Sequence, residues 1–181
     1  MKKILLLLFL ATSTLSASTQ KVDNCLELTK LTLPKSSEGK IEYTSILEAS
    51  DKKQQEFYSA VRSWYASNFS NVQNGELLND AANGKLIFYG IKDYKHYDAH
   101  YTLDFTFKDG KFRTIVKNII VVIPSVERYE RDIRIPLEEF VGYGLVIGKN
   151  IRCDFVITLD SDIKNLIKNV EAAATKKTDD F

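Results

Sequence analysis

The chain has 181 residues, 44% of them hydrophobic, with 25 Lys and Arg against 24 Asp and Glu for a formal charge of +1. That is one domain's worth of material with enough apolar residues for a core. So even a balance of charge gives no electrostatic basis for binding nucleic acid or for steering to an anionic membrane.

Lys2 and Lys3 precede an apolar run from Ile4 to Ala11, and small and hydroxyl residues follow through Ser18. This order is that of an export signal, and the run falls short of the roughly 20 residues that span a bilayer. Residues 1–18 therefore read as a signal peptide, 19–40 as an N-terminal leader, 41–174 as a single α+β domain and 175–181 as a flexible tail. Removing Lys2 and Lys3 leaves 23 basic against 24 acidic side chains. Val22-Asp23-Asn24 puts charge and bulk before Cys25, where a lipoprotein signal needs small apolar residues, so lipoprotein anchoring is disfavoured. The expected address is the periplasm or the exterior, with no transmembrane segment in the mature form. In an oxidising compartment, Cys25 and Cys153 can form one structural disulfide; two unpaired thiols are the alternative. No CxxC spacing points to thiol–disulfide exchange.

Leu26, Leu28 and Leu33 suggest a short strand over 26–33. Lys40–Ile46 is a better strand candidate, with Ile41 and Tyr43 on one face. A helix is expected over 51–68, capped by Ser50 or Asp51, with Phe57, Val61, Trp64 and Asn68 on one stripe. Its aromatics Phe57, Tyr58, Trp64 and Tyr65 invite a cofactor or sugar-binding reading, but helical spacing favours packing of Phe57, Val61 and Trp64 against a sheet.

From 77 to 123 the pattern is an antiparallel meander. Asn83-Gly84 is a hairpin turn after a weak strand, and Lys85–Gly90 is a strand. An Asp109-Gly110 loop joins Tyr101–Lys108 to Lys111–Lys117, setting Phe107 opposite Phe112, Phe105 opposite Thr114 and Leu103 opposite Val116. The other face carries Thr102, Asp104, Thr106, Arg113 and Lys117 and reads as solvent-facing, with Asp104 and Arg113 a diagonal surface ion pair. Past Asn118 the alternation fails in Ile119–Ile123, through burial on both faces or through a bulge. Residues 125–140 resemble a surface connection with a short strand at Asp132–Ile135. Asp154–Leu159 reads as a last strand. Asp160 or Ser161 then caps a helix whose stripe is Ile163, Leu166, Ile167 and Val170.

The aromatic helix with Phe57-Tyr58 and Trp64, then Asn68-Phe69, Gly84-Lys85-Leu86-Ile87, Gly90 and the Lys108-Asp109-Gly110-Lys111-Phe112-Arg113 hairpin together resemble a known family. It is the exported Bacteroidetes family of domains of unknown function with a TATA-binding-protein-like fold, and the similarity covers roughly residues 41–123. The resemblance implies a curved antiparallel sheet with helices packed on one face. It carries over no catalytic or ligand-binding residue, and fold alone does not transmit function.

One cluster offers metal chemistry. In an extended segment His96, Asp98 and His100 point the same way, and imidazole and carboxylate are suitable ligand types. A solvated connection gives the same residues without a site. No G-x-S-x-G elbow, H-E-x-x-H, P-loop or dinucleotide fingerprint is present, so no catalytic residue and no cofactor is assigned. Gly142, Gly144 and Gly148 lack the Lys-Ser/Thr of a phosphate loop. Glu138-Glu139 and Glu127/Glu130 read as charged surface, and Arg128, Arg131 and Arg134 are offset by nearby acids. The expected function is an exported noncatalytic binding or envelope-assembly domain for an unidentified protein, peptide or glycan. The alternative is a metal-dependent or hydrolytic enzyme using the His96/Asp98/His100 region.

Mass spectrometry of the native protein is expected to find an N-terminus at Ser18 or Thr19 and, without reductant, a peptide linking Cys25 to Cys153. An intact Met1 terminus would favour the alternative of a retained N-terminal anchor on a membrane-associated scaffold, and separate cysteine peptides would remove the disulfide.

Overall fold

In a computed structural model of the chain, the described residues are 33–69, 75–125, 131–142 and 149–176. The signal peptide, Cys25, most of the 26–33 segment, Glu127, Arg128, Glu130, Gly144, Gly148 and residues 177–181 lie outside them.

The Asp109-Gly110 turn forms as its residues dictate, with Gly110 at φ 76° in the left-handed region that a glycine occupies without strain. It joins β4 (Asp98–Lys108) to β5 (Lys111–Ile123). Phe107 pairs with Phe112, Phe105 with Thr114 and Leu103 with Val116, so one side of the hairpin is a continuous apolar surface. β3 (Lys85–Asp93) pairs along the far side of β4, and β2 (Glu76–Asp80) closes that edge. Beyond β5, β1 (Tyr43–Glu48) pairs with its first half and β6 (Ile133–Pro136) with its last four residues. All pairings are antiparallel.

The failure of alternation after Asn118 is a bulge. Thr102 pairs with Lys117 but His100 with Ile120, so β5 spends one extra residue there. Asn118 sits at φ 53°, a conformation that asparagine tolerates better than most side chains. The extra residue returns Ile119 and Val121 to the face already occupied by Phe112 and Val116, and all four are buried.

The curved sheet implied by the resemblance is corrected. The sheet is open, running β1-β5-β4-β3-β2 with β6 beside β5, and its outer strands do not pair among the described residues. Closing or curling a sheet needs strands whose tilt and register bring the two edges together; here two helices lie on one face instead and bury it. α1 (Gln54–Asn68) packs on β3, β4 and β5, and α3 (Lys149–Thr175) packs on α1 and β1. Phe57 rests on Phe112 with ring centroids 5.3 Å apart, and Tyr65 stacks on Phe88 at 3.7 Å.

Several local expectations change with the packing. α1 starts at Gln54, not after Ser50 or Asp51, because its first amide donates to Asp109 Oδ1 at 2.9 Å from the hairpin turn. That long-range carboxylate takes the role the local caps were expected to play. The buried stripe of α1 is Phe57, Tyr58, Val61 and Tyr65, so Trp64 lies on the shoulder and is only partly buried. The strand expected at Asp154–Leu159 is helix. Cys153, Val156, Leu159, Ile163, Ile167, Val170 and Ala174 are buried at spacings of three and four, and burial of that stripe overrides the β-propensity of Phe155–Thr158. The connection after Pro136 holds a short helix, α2 (Leu137–Gly142), anchored by buried Leu137 and Phe140.

On the uncovered face, Asp104 is not a surface residue. It is 4% exposed and is held by Lys85 and Lys117, the latter at 2.6 Å. The expected Asp104–Arg113 pair does not form: Arg113 sits opposite Thr106, while Asp104 sits opposite Ile115. The lysine stems shelter the carboxylate, as long charged side chains do on sheets. Burial would raise the Asp104 carboxyl, but bonds and charge from Lys117 and Lys85 outweigh it and hold the carboxyl below the usual range.

Phe57→Ala should cost about 3–5 kcal/mol in urea unfolding, because Phe57 is fully buried, and Trp64→Ala only about 1–2 kcal/mol. Equal losses would contradict this placement of the helix stripe.

Candidate functional site

The three residues of the metal expectation are not gathered as ligands. Asp98 and His100 share a face of β4, whereas His96 is exposed in the β3–β4 turn. Among the described residues, no group of three or more His, Cys, Asp and Glu is arranged to hold a metal ion. His100 is engaged otherwise. The Tyr89 hydroxyl bonds its Nδ1, and an Arg134 amino group approaches the same nitrogen at 3.2 Å. Arginine only donates, so the Arg134 contact favours an accepting Nδ1 on His100. Burial, then the Arg134 guanidinium, lower its pKa against the pull of Asp98, Asp93 and Asp132. Burial, then Asp93, raise the Asp98 carboxyl.

Cys153 is buried near the start of α3. Cys25 is outside the described residues, so the disulfide stands as a proposal. The carboxylates Glu138 and Glu139 lie in the first turn of α2, away from the feature that follows.

Among the described residues, a groove of about 380 Å³ lies where the end of α1, the end of β3 and the middle of α3 meet. That volume is within the range of about 300–1,000 Å³ typical of small-molecule sites. Trp64 and Phe69 form an aromatic wall, edge to face with centroids 5.7 Å apart. Tyr94 and Tyr101 contribute from the β3–β4 connection and β4. The opposing wall is one face of α3: Asp162, Asn165, Leu166 and Asn169 recur at helical spacing.

The polar atoms of this groove are unevenly committed. Tyr94 donates its hydroxyl to Asp162 Oδ2 at 2.8 Å, and Lys92 stands 4.0 Å from the same oxygen. Asn68 donates to the Trp64 carbonyl at 2.8 Å. Burial, then the bond to Asp162, keep the Tyr94 hydroxyl protonated far above its ordinary range. Burial, then Tyr65 and Asp162, do the same for Tyr101. Two tyrosine hydroxyls, three carboxamides, one carboxylate and one ammonium thus stand beside aromatic surface.

The sequence reading assigned Trp64 to the core and overlooked Tyr94, Tyr101, Asp162, Asn165 and Asn169. Asp162, Asn165 and Asn169 share one face of the helix already expected after Asp160, but nothing local to that helix shows what the face meets.

Residues 43–121 match the family described as a domain of unknown function (DUF4468) with TBP-like fold. Among solved structures, a TBP-like protein from Parabacteroides distasonis is similar at TM-score 0.64 and 15% identity, over 81% of this chain and 99% of that one. A DUF4468 family protein from Bacteroides ovatus is similar at TM-score 0.62 and 14% identity, over 82% and 94% of the two chains. At these identities the likeness is one of fold. No curated protein matches the sequence.

His100 generates a pH signature. With its folded pKa lowered, the unfolded chain takes up the proton first, so stability should fall as pH drops below the ordinary imidazole value of about 6.5. The loss stops growing once folded His100 also titrates. His100→Gln should flatten this slope in urea titrations between about pH 7.5 and 5; an unchanged slope would remove His100 as its source.

Proposed function

The chain belongs, over residues 43–121, to the DUF4468 family with a TBP-like fold, and from that premise we propose that it is an exported, noncatalytic binding domain whose ligand seats in the groove between α1, β3 and α3. The observation that carries the reading is the groove itself, a concavity with an aromatic wall on one side and amide and carboxylate side chains on the other. Binding sites have this composition, apolar surface with a few placed polar groups.

The noncatalytic part of the reading is supported by the state of the polar groups. Asp162 is the sole carboxylate among the lining residues and is engaged by Tyr94 and Lys92. The one hydroxyl–carboxylate pair of the lining, Tyr94 with Asp162, keeps its phenol protonated well above its ordinary range, which disfavours it as a nucleophile. The export part is supported by the Lys2-Lys3 and Ile4–Ala11 order. Among the described residues, no helix is long and apolar enough to cross a membrane.

Isotope-labelled mature protein mixed with extract of its native envelope should show amide shifts clustered at Trp64, Tyr94, Tyr101 and Asp162, and mass spectrometry should recover the captured ligand unaltered. Absence of a cluster in the groove defeats the site, and chemical conversion of the ligand defeats the noncatalytic reading.

A further inference from the structure

Tyr101 is the least expected feature of the groove. Its ring is 4% exposed and lies against Gly90, where a β-carbon would strike it. Its residue lines the groove, yet its hydroxyl has no hydrogen-bond partner among the described residues, unlike those of Tyr43, Tyr58, Tyr65, Tyr89 and Tyr94. The hydroxyl itself reaches solvent at the groove, so a ligand can bond it without displacing a protein partner. The indole N–H of Trp64 is likewise without a described partner.

From these groups we infer that the groove takes a neutral saccharide of one or two rings, seated against Trp64 and Phe69 and hydrogen-bonded by Tyr101, Asn165 and Asn169. The inference deepens the binding reading above and rests on it. Sugar hydroxyls both donate and accept, and so do the tyrosine hydroxyl and the two carboxamides. The C–H faces of a sugar ring are flat and apolar, which suits the broad surface of an aromatic wall. Charge points the same way: Lys92 and Asp162 offset one another at 4.0 Å, so an anionic ligand meets the carboxylate and a cationic one the ammonium. A peptide strand is disfavoured as occupant because the groove is flanked by two helices rather than an open sheet edge. The volume of about 380 Å³ sets the size limit.

The protein holds one tryptophan, and it stands in this groove, so its fluorescence reports on the site alone. The full mature chain is titrated with cellobiose, maltose and diacetylchitobiose as neutral probes, and with glucuronic acid and glucosamine as charged ones, with calorimetry alongside. At least one neutral disaccharide should give a saturable fluorescence change. Tyr101→Phe, which keeps the ring, should weaken that binding about five- to tenfold without lowering the melting temperature. Asn165→Ala/Asn169→Ala, at two exposed helix positions, should weaken it at least as much. The inference is overturned by no saturable change with any neutral probe, by equal binding of the charged sugars, or by unaltered affinity in both variants. Groove-centred shifts with envelope extract alongside silent saccharide titrations would leave the binding reading standing and remove the saccharide class.

Discussion

Everything in this fold depends on β5 keeping its apolar residues on one side of an open sheet. Only one face is covered by helices, so a strand of thirteen residues that alternates strictly would send its second half to the wrong face. The extra residue at Asn118 prevents this. It lets Phe112 and Val116 before the bulge, and Ile119 and Val121 after it, reach the same core. It also divides the edge of β5 between two short partners, β1 along one half and β6 along the other. α2 packs on β5 and β6 beyond that shift.

The helices are placed by contacts remote in sequence. The Asp109 turn caps α1, and the Gly110 backbone exchanges bonds with Ala49 and Lys52, so hairpin and helix start are one joint. α3 is tied to β1 by Tyr43 to Asp160 and Ser45 to Glu171, and to the β3–β4 connection by Tyr94 to Asp162. The groove lies where the last of these ties meets the end of α1. Most of its walls come from helices and strands, with Phe69 and Tyr94 added from the adjoining connections.

The parts legible in the sequence were those governed by local rules. The Asp-Gly turn, its flanking register and the aromatic helix follow from two- and 3.6-residue periods, and all formed. The break at Asn118 was visible as a loss of alternation, though only pairing with β4 shows it to be a bulge. The misses share one cause, burial decided by distant segments. Phe155-Val156-Ile157-Thr158 has strand propensity yet forms helix because its neighbours at three and four residues are buried. Asp104 follows a polar pattern, but Lys85 and Lys117 from two other strands enclose it. His96 and His100 share parity, but the turn at His96 and the bonds at His100 separate their roles.

By itself the sequence determined the hairpin, the one-sided apolar face and the length of chain available for a single domain, because each rests on periodicity and turn chemistry within a few residues. Only the tertiary structure decided that the sheet stays open, that 149–175 is one helix, and that Trp64 faces Asn165 and Asn169 across a groove. Those outcomes depend on which surfaces meet, and meeting is a property of residues about a hundred positions apart, where no local period reaches.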